Sequence, residues 1–209
     1  MCRSPRPADA GGDFTEKNRL EAFSDGVLAI IITIMILELK MPAGGGVDDL
    51  MALAPTIFAY VLSFFFIAIY WVNHHLILHD VTNVNRKILW CNIAWLFVMS
   101  FIPFGTAWVG SYPDSWTPVT LYFADMFLAC ITFHLMYYLI ACENCNNGRF
   151  RLTPRSIISI LTYFLAMLLG GMNPPAAYVV VAVVSAWWIF PENGRDETTA
   201  FCERCQVGK

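Results

Sequence analysis

The stretch RLEAFSDGVLAIIITIMILELKMP, residues 19–42, decides the fold of this chain. It is apolar over enough residues to cross a bilayer as a helix, which takes about 20 residues. Yet Arg19, Ser24 and Asp25 lie at one end of it, and Thr33 lies in its middle. Polar groups inside a spanning helix cost free energy unless partners or water satisfy them, so they mark functional segments. We therefore expect this helix to line an ion pathway.

The composition is that of a membrane protein. Of the 209 residues, 57% are apolar, 15% are aromatic and only 14% are charged. The net charge is -3, and the basic residues form short clusters between apolar runs. A nucleic-acid-binding protein would present a continuous basic face, so that class is excluded.

Six apolar stretches approach the length of a spanning helix. We predict these spans at residues 20–41, 50–78, 88–109, 116–142, 156–172 and 174–190. The last two are short and are joined by a Gly- and Pro-rich segment that predicts a tight turn. The expected fold class is thus all-α, a polytopic membrane protein in which residues 15–191 form one six-helix channel domain.

Basic residues predict the orientation of the spans. They precede the first span, lie between the second and third and between the fourth and fifth, and follow the sixth, whereas only Lys40 falls in a loop of the opposite side. The positive-inside rule then puts both termini in the cytoplasm of a cell-membrane protein. Residues 1–14 and 192–209 are the expected cytosolic tails, and the first of them shows no cleavable signal peptide.

Several polar side chains fall at one depth once this orientation is adopted. Ser24 and Asp25 lie in the inner part of the first span, and the inner ends of the second and third spans contribute their own polar groups. Those groups are Asn73, His74, His75 and Asn92. A carboxylate in low dielectric requires such hydrogen-bonding partners. The cluster either simply ties three helices together, or the tie also holds a pore helix in register and is tuned by histidine protonation.

The first span carries a second pattern at the helical period. Gly26, Ile30, Thr33 and Leu37 follow one another at spacings of four, three and four residues, which places them on one stripe. Such a stripe either faces lipid or a neighbouring helix, or lines a pore. In a pore, rings of Ile30 and Leu37 would form an apolar constriction that gates by dewetting, and Thr33 would offer hydroxyl oxygens to a cation.

Two motifs resemble a known family. The pattern R-x-x-x-F-S-D, formed by Arg19, Phe23, Ser24 and Asp25, is similar to the signature of the transmembrane protein 175 family of potassium channels. The second span adds W-x-x-H-H at Trp71, His74 and His75, which also resembles that family. The motifs cover the first two spans, and the six-span layout extends the resemblance over the transmembrane region.

The resemblance implies a cation channel whose first helix lines the pore. Its main hydrophobic gate then falls on Ile30, its threonine filter layer on Thr33 and a further apolar layer on Leu37. One-repeat members assemble as tetramers, and modest preference for potassium over sodium is expected. The resemblance also implies a structural polar network, whose members here would be Arg19, Phe23, Ser24, Asp25, Trp71, His74, His75 and Asn92.

The other candidate sites suggest less specific chemistry. Four of the seven cysteines, Cys142, Cys145, Cys202 and Cys205, form two CxxC pairs that could converge on one zinc ion, although free thiols are the simpler expectation. We expect no cofactor. Asp125 and His134 in the fourth span suit an inter-helix tie or a proton-sensitive element.

Two other classes of protein compete with the channel interpretation. No GxSxG or HExxH motif occurs, so an enzyme is not expected. A proton-coupled secondary transporter stays open as the alternative, because intramembrane carboxylates and histidines suit proton coupling. The expected partners are potassium ions, the lipid bilayer and further copies of this chain.

Overall fold

A computed structural model describes residues 10–79, 81, 84–144 and 154–189. All regular secondary structure within these ranges is helical. The helices, in chain order, are α1 Ala10–Leu37, α2 Val47–Met51, α3 Ala54–His79, α4 Arg86–Met99, α5 Ile102–Ser111, α6 Trp116–Asn144, α7 Pro154–Gly170 and α8 Pro174–Ile189. The all-α fold class predicted from the sequence is therefore confirmed.

Four stretches of helix are long and apolar enough to cross a membrane. They are Glu16–Leu37, Ala54–Leu78, Arg86–Ser111 and Trp116–Glu143. Two shorter apolar helices, Pro154–Gly170 and Pro174–Trp188, correspond to the short fifth and sixth predicted spans. Helix α1 begins at Ala10, inside the segment predicted as a tail, and most of both predicted tails lies outside the described residues.

The third predicted span differs from expectation because it is divided between α4 and α5. Proline at position 103 has no N–H, so it leaves the carbonyl of Met99 without its helical donor. The chain tightens just before it: the Ser100 N–H donates to Phe97 O at 3.2 Å, and the Phe101 N–H donates to Val98 O at 3.0 Å. The result is one spanning segment with a local break near its centre.

The core is formed by bulky side chains at the centre of the helix bundle. Helix α6 packs mainly on α4, α5 and α7, and α8 packs on α3 and α7. Trp95, Tyr122, Phe66 and Phe123 are almost completely buried there. Helix α1 packs only on one side of this bundle, mainly against α3, α4 and α5. One long side of α1 is therefore uncovered by the chain's own core.

Glycine allows the closest helix approach near the α3–α5 contact. The Thr56 hydroxyl donates to the Gly110 carbonyl at 3.0 Å. A Cβ atom added to Gly110 would lie 2.8 Å from Thr56 Cα and from its Cγ2 methyl, which is closer than real Cβ contacts. Gly170 approaches the backbone of Thr120 in the same way, at 3.1 Å from its nitrogen. These glycines fix how closely the helices pack in the half of the molecule that contains Leu37, which we call the outer half; the half that contains Leu20 is called the inner half.

We expect Gly110→Ala to destabilise the protein by about 1–3 kcal/mol, because the added methyl group must push α3 away and strain the Thr56 hydrogen bond. The measurement is the thermal midpoint of the detergent-solubilised protein by fluorescence-detected size exclusion. Gly171→Ala is the matched control, since a Cβ there meets its nearest neighbours at 3.6 Å or more. Equal midpoints for the two variants would contradict the packing argument.

Candidate ion pathway along the first helix

One side of α1 is buried as a continuous ridge. The ridge repeats at helical spacings of three and four residues, as expected of one face. Its members are Leu20, Ser24, Leu28, Ile31 and Met35, each at most 4% exposed. This ridge fixes the rotation of α1 about its own axis, and so determines which residues point away from the bundle.

The opposite side of α1 carries the stripe predicted from the sequence. Ile30 is 58% exposed and Leu37 is 81% exposed, and Gly26 and Thr33 are also exposed. Ile30 and Leu37 are separated by seven residues, or about 10 Å along a helix. The bundle leaves this side free for lipid or for other copies of the chain.

The Thr33 hydroxyl has a defined orientation. It donates its proton to the Ile30 carbonyl at 2.9 Å, within its own helix. Because the proton is used inside the helix, the oxygen lone pairs are available on the exposed side. Thr33 can thus accept hydrogen bonds from water or act as an oxygen ligand of a cation.

A groove runs beside the outer half of the stripe, between α1 and the third spanning segment. It has a volume of about 440 Å³ and is lined on one side by Val27, Ile30 and Ile34. Phe104, which is 64% exposed, belongs to the other side. Glu38 also lines the groove and is exposed at the end of α1. An apolar groove with one carboxylate at its end fits contact with a further helix better than contact with water.

The inner part of the ridge is held by a buried chain of hydrogen bonds. Asn92 Nδ2 donates to Ser24 Oγ at 3.0 Å, and Ser24 Oγ donates to Leu20 O at 2.9 Å. On its other side, Asn92 Oδ1 lies 2.9 Å from His74 Nε2. An amide oxygen only accepts, so His74 carries its proton on Nε2. This chain joins α1, α4 and α3 through side chains that are each at most 1% exposed.

Asp25 has a separate partner. Its Oδ1 atom accepts a hydrogen bond of 2.8 Å from the Trp71 indole N–H. Both side chains are exposed at the edge of the bundle. This bond is a second connection between α1 and α3, on a different side of α1 from the Ser24 chain.

Three members of the expected network stand apart from these bonds. Arg19, Phe23 and His75 are exposed, and the described residues supply no hydrogen-bond partner for the Arg19 guanidinium or the His75 ring. Phe23 is 55% exposed beside the inner end of the stripe. The structure thus brings together Ser24, Asn92 and His74, and separately Asp25 and Trp71.

The outer half of α1 is held by a second polar group that sequence reasoning missed. Ser63 Oγ lies 2.6 Å from Thr106 Oγ1 and 2.6 Å from the Tyr122 hydroxyl, so α3, α5 and α6 share one cluster. Thr106 also contacts Met35 Sδ on the ridge of α1, at 3.6 Å. The signal in the sequence was the presence of hydroxyl residues within apolar spans, which is weak because such residues often bond to their own helix.

Asp125 and His134 lie away from α1, on α6. His134 Nδ1 lies 2.8 Å from Cys130 O within the same helix. Asp125 Oδ2 is buried without a hydrogen-bond partner among the described residues. Within the described residues neither side chain forms a hydrogen bond to another helix, so of the two predicted roles, an inter-helix tie and a proton-sensitive element, the tie finds no support there.

The CxxC pairs lie mostly beyond the described chain. Cys142 is exposed near the end of α6, and Cys145, Cys202 and Cys205 lie outside the described residues. Among the residues that the structure describes, no three His, Cys, Asp or Glu side chains are grouped to hold a metal ion. Zinc binding at the two CxxC pairs therefore stays a prediction from the sequence.

Comparison with known proteins identifies relatives of this chain. Residues 19–103 match the family described as the endosomal/lysosomal potassium channel TMEM175. A potassium channel from a Chryseobacterium species is 38% identical over 181 residues, which cover 84% of this chain and 94% of that protein. The human endosomal/lysosomal proton channel TMEM175 is 26% identical over 133 residues, which are 60% of this chain but only 25% of the human protein.

A solved structure shares the fold. The crystal structure of a lysosomal potassium-selective channel TMEM175 homolog from Chamaesiphon minutus superposes with a TM-score of 0.73 and 26% sequence identity. The match covers 86% of this chain and all of that one. The described relatives are ion channels and not enzymes. The Chryseobacterium relative matches over nearly its full length, and the family matches the segment that contains most of α1, all of α3 and most of the third span, so this chain belongs to the TMEM175 family.

Proposed function

We propose that this chain is a potassium-permeable channel of the cell membrane, in which ions pass along the exposed stripe of α1. The observation that carries the proposal is the one-sided packing of α1. Its buried ridge faces the bundle, and Ile30, Thr33 and Leu37 face away from it. Bacterial relatives are named potassium channels, and this supports potassium as the permeant ion.

The proposed assembly is a homotetramer with four copies of α1 around a central axis. A single stripe cannot enclose a pathway, so a pore requires other copies of the same helix. The groove of about 440 Å³ beside Ile30 would be filled by the adjacent copy, which would also cover Phe104. In this arrangement all six spans cross the membrane and both termini are cytoplasmic, as the positions of the basic residues suggest.

Rings of side chains then give the pathway its chemistry. Ile30 and Leu37 form apolar constrictions from which water is expelled when they are narrow. Thr33 lies between them, and its oxygen faces the ion because its proton is donated to the Ile30 carbonyl. Four such oxygens replace part of the hydration shell of a cation. A modest preference for potassium over sodium follows, because hydroxyl groups ligate ions without a rigid carbonyl cage.

Channel-type conduction is favoured over a proton-coupled carrier. The described relatives are named channels, including the human relative that is named a proton channel. A channel gives passive flux that does not saturate at low potassium concentration, whereas a carrier saturates and moves protons with its substrate. Liposomes that hold the purified protein distinguish the two when potassium and pH are followed together. Absence of potassium flux from such liposomes would sink the proposal.

We expect Ile30→Ala to raise potassium flux, because a smaller ring is wider and retains water. If the isoleucine ring contributes about 1 kcal/mol to the conduction barrier, the flux rises roughly fivefold. The measurement is potassium release from liposomes at matched protein content. Ile157→Ala on α7 is the control, since Ile157 is 44% exposed on a helix that packs mainly on α6 and α8. Unchanged flux in Ile30→Ala would remove Ile30 from the pathway.

Thr33→Val tests the hydroxyl layer without changing the size of the side chain. We expect the ratio of potassium to sodium permeability to fall towards one, because the methyl group supplies no oxygen ligand. Thr33→Ser should keep the preference. The measurement is the reversal potential in planar bilayers under bi-ionic conditions. Thr132→Val is the control, because its hydroxyl also bonds within its own helix, to Leu128 O at 2.9 Å, but on α6. A ratio that Thr33→Val leaves intact would contradict a filter at this layer.

The buried Ser24–Asn92–His74 chain is proposed to hold the pore helix in register. Asn92→Ala removes two hydrogen bonds and leaves Ser24 and His74 buried without that partner, which costs about 1–3 kcal/mol. We expect a lower thermal midpoint together with altered potassium flux. Asn73→Ala is the control, since the Asn73 amide donates to Ile69 O in its own helix, at 2.7 Å, and to no other described residue. Similar midpoints for the two variants would show that the Ser24–Asn92–His74 hydrogen bonds do not stabilise the protein.

A further inference from the structure

A wide groove lies between the first parts of α1 and α4, at the end of the molecule opposite to Leu37. Its volume is about 580 Å³. Arg19 and Arg86 line it from the two helices, and its floor is apolar, formed by Leu20, Leu89 and Ile93 among others. We call this the two-arginine groove. Arg19 precedes Gly26 by seven residues, so it lies on the same side of α1 as the pore stripe, beyond the end of the stripe that is opposite to Leu37. The groove extends from Arg19 towards α4.

The guanidinium groups of the groove are not paired within the described part of the chain. Arg19 and Arg86 are both exposed, and no carboxylate among the described residues forms an ion pair with either guanidinium. Glu16 is the acidic residue in the lining, against two arginines. Glu143 lies beside the groove, because its Oε2 accepts a hydrogen bond of 2.8 Å from Nδ2 of Asn85, which lines the groove. The lining thus presents two guanidinium groups whose donors are not used within the described residues, next to the carboxylates of Glu16 and Glu143.

The apolar length of the two helices puts the groove at the level of the lipid headgroups. The membrane-crossing segments of the two helices begin at Glu16 and at Arg86, so both arginines are at the border of the hydrocarbon layer. From there the apolar floor leads along Leu20 and Ile93 into the membrane. A soluble anion would contact only the arginines. An anionic lipid would contact the arginines with its headgroup and the apolar floor with an acyl chain.

We propose that the two-arginine groove binds an anionic phospholipid. Its phosphate accepts paired hydrogen bonds from Arg19 and Arg86, since a guanidinium group matches the geometry of two phosphate oxygens. One acyl chain lies along the apolar floor. Basic pockets between spanning helices at the membrane surface have the same combination of features in general. The proposal goes beyond ion conduction and does not depend on it.

The test is native mass spectrometry of the detergent-purified full chain, titrated with phosphatidylglycerol or with phosphatidylcholine of the same acyl chains. We expect the wild type to retain phosphatidylglycerol more tightly. Arg19→Gln and Arg86→Gln should each weaken its binding roughly fivefold, the effect of one basic residue at a membrane surface. Lys87→Gln is the matched control: Lys87 is exposed and adjacent to Arg86 but does not line the groove. It should bind as the wild type does.

Several results would overturn the proposal. Equal retention of the two lipids by the wild type would show that the headgroup makes no specific contact. This outcome does not depend on the folding of any variant. An equal loss in Lys87→Gln would indicate diffuse attraction to a basic surface. Displacement of phosphatidylglycerol by soluble glycerol phosphate at the same concentration would indicate a site for the free anion. Loss of the oligomer in the arginine variants, with lipid binding unchanged per chain, would assign the groove to contact between copies.

The result is separable from the test of conduction. Lipid retention is measured in detergent, and potassium flux is measured in liposomes of phosphatidylcholine alone. If the wild type carries no potassium but retains phosphatidylglycerol, the proposed function fails and the lipid site stands. If potassium flux is present and the two lipids are retained equally, the lipid site fails and the channel stands.

Discussion

The hydrogen-bond chain from His74 through Asn92 to Ser24 constrains the rest of the structure, because it joins three helices through buried polar side chains. Ser24 gives its proton to the Leu20 carbonyl, so its oxygen accepts from the Asn92 amide nitrogen. The amide oxygen then faces His74, whose ring stacks on Trp95 with centroids 5.1 Å apart. In a medium without water each of these groups depends on the next. A rotation of α1 would break the chain, and the rotation sets which residues face outwards.

The outer half of α1 is held by a different kind of interaction. There the ridge ends at Met35, whose sulfur contacts Thr106 in a cluster of three hydroxyl groups. A thioether is a weak acceptor and adapts to its neighbours, so this contact holds α1 less firmly than an amide does. The inner half of α1 is thus fixed by strong, ordered bonds, and the outer half by packing around a flexible side chain. The proposed constrictions at Ile30 and Leu37 lie on the more loosely held half.

The sequence predicted the elements better than the connections between them. Apolar length predicted the four long apolar helices and the two shorter ones. The alternating direction of successive spans predicted that Ser24, His74 and Asn92 lie at one depth, and the structure joins these three residues. Both predictions depend on one-dimensional properties of the sequence. It did not predict that Asp25 bonds to Trp71 while Arg19 lies in a separate groove, since pairing depends on the rotation of each helix. The sequence did not predict the Ser63 cluster, because hydroxyl groups change the mean hydropathy of a span little. The sequence did not predict the break before Pro103, because a single proline changes the apolar character of a long span little.

The division of the third span gives α1 two supports in place of one. Helix α4 carries Asn92 against the inner half of α1, and α5 carries Thr106 against the outer half. Between them the chain is tightened at Ser100 and Phe101, ahead of Pro103. A continuous helix would act as a rigid beam and transmit any tilt along its whole length. A jointed one lets α5 change its tilt and follow α1 at Met35, while α4 keeps its hydrogen bond to Ser24.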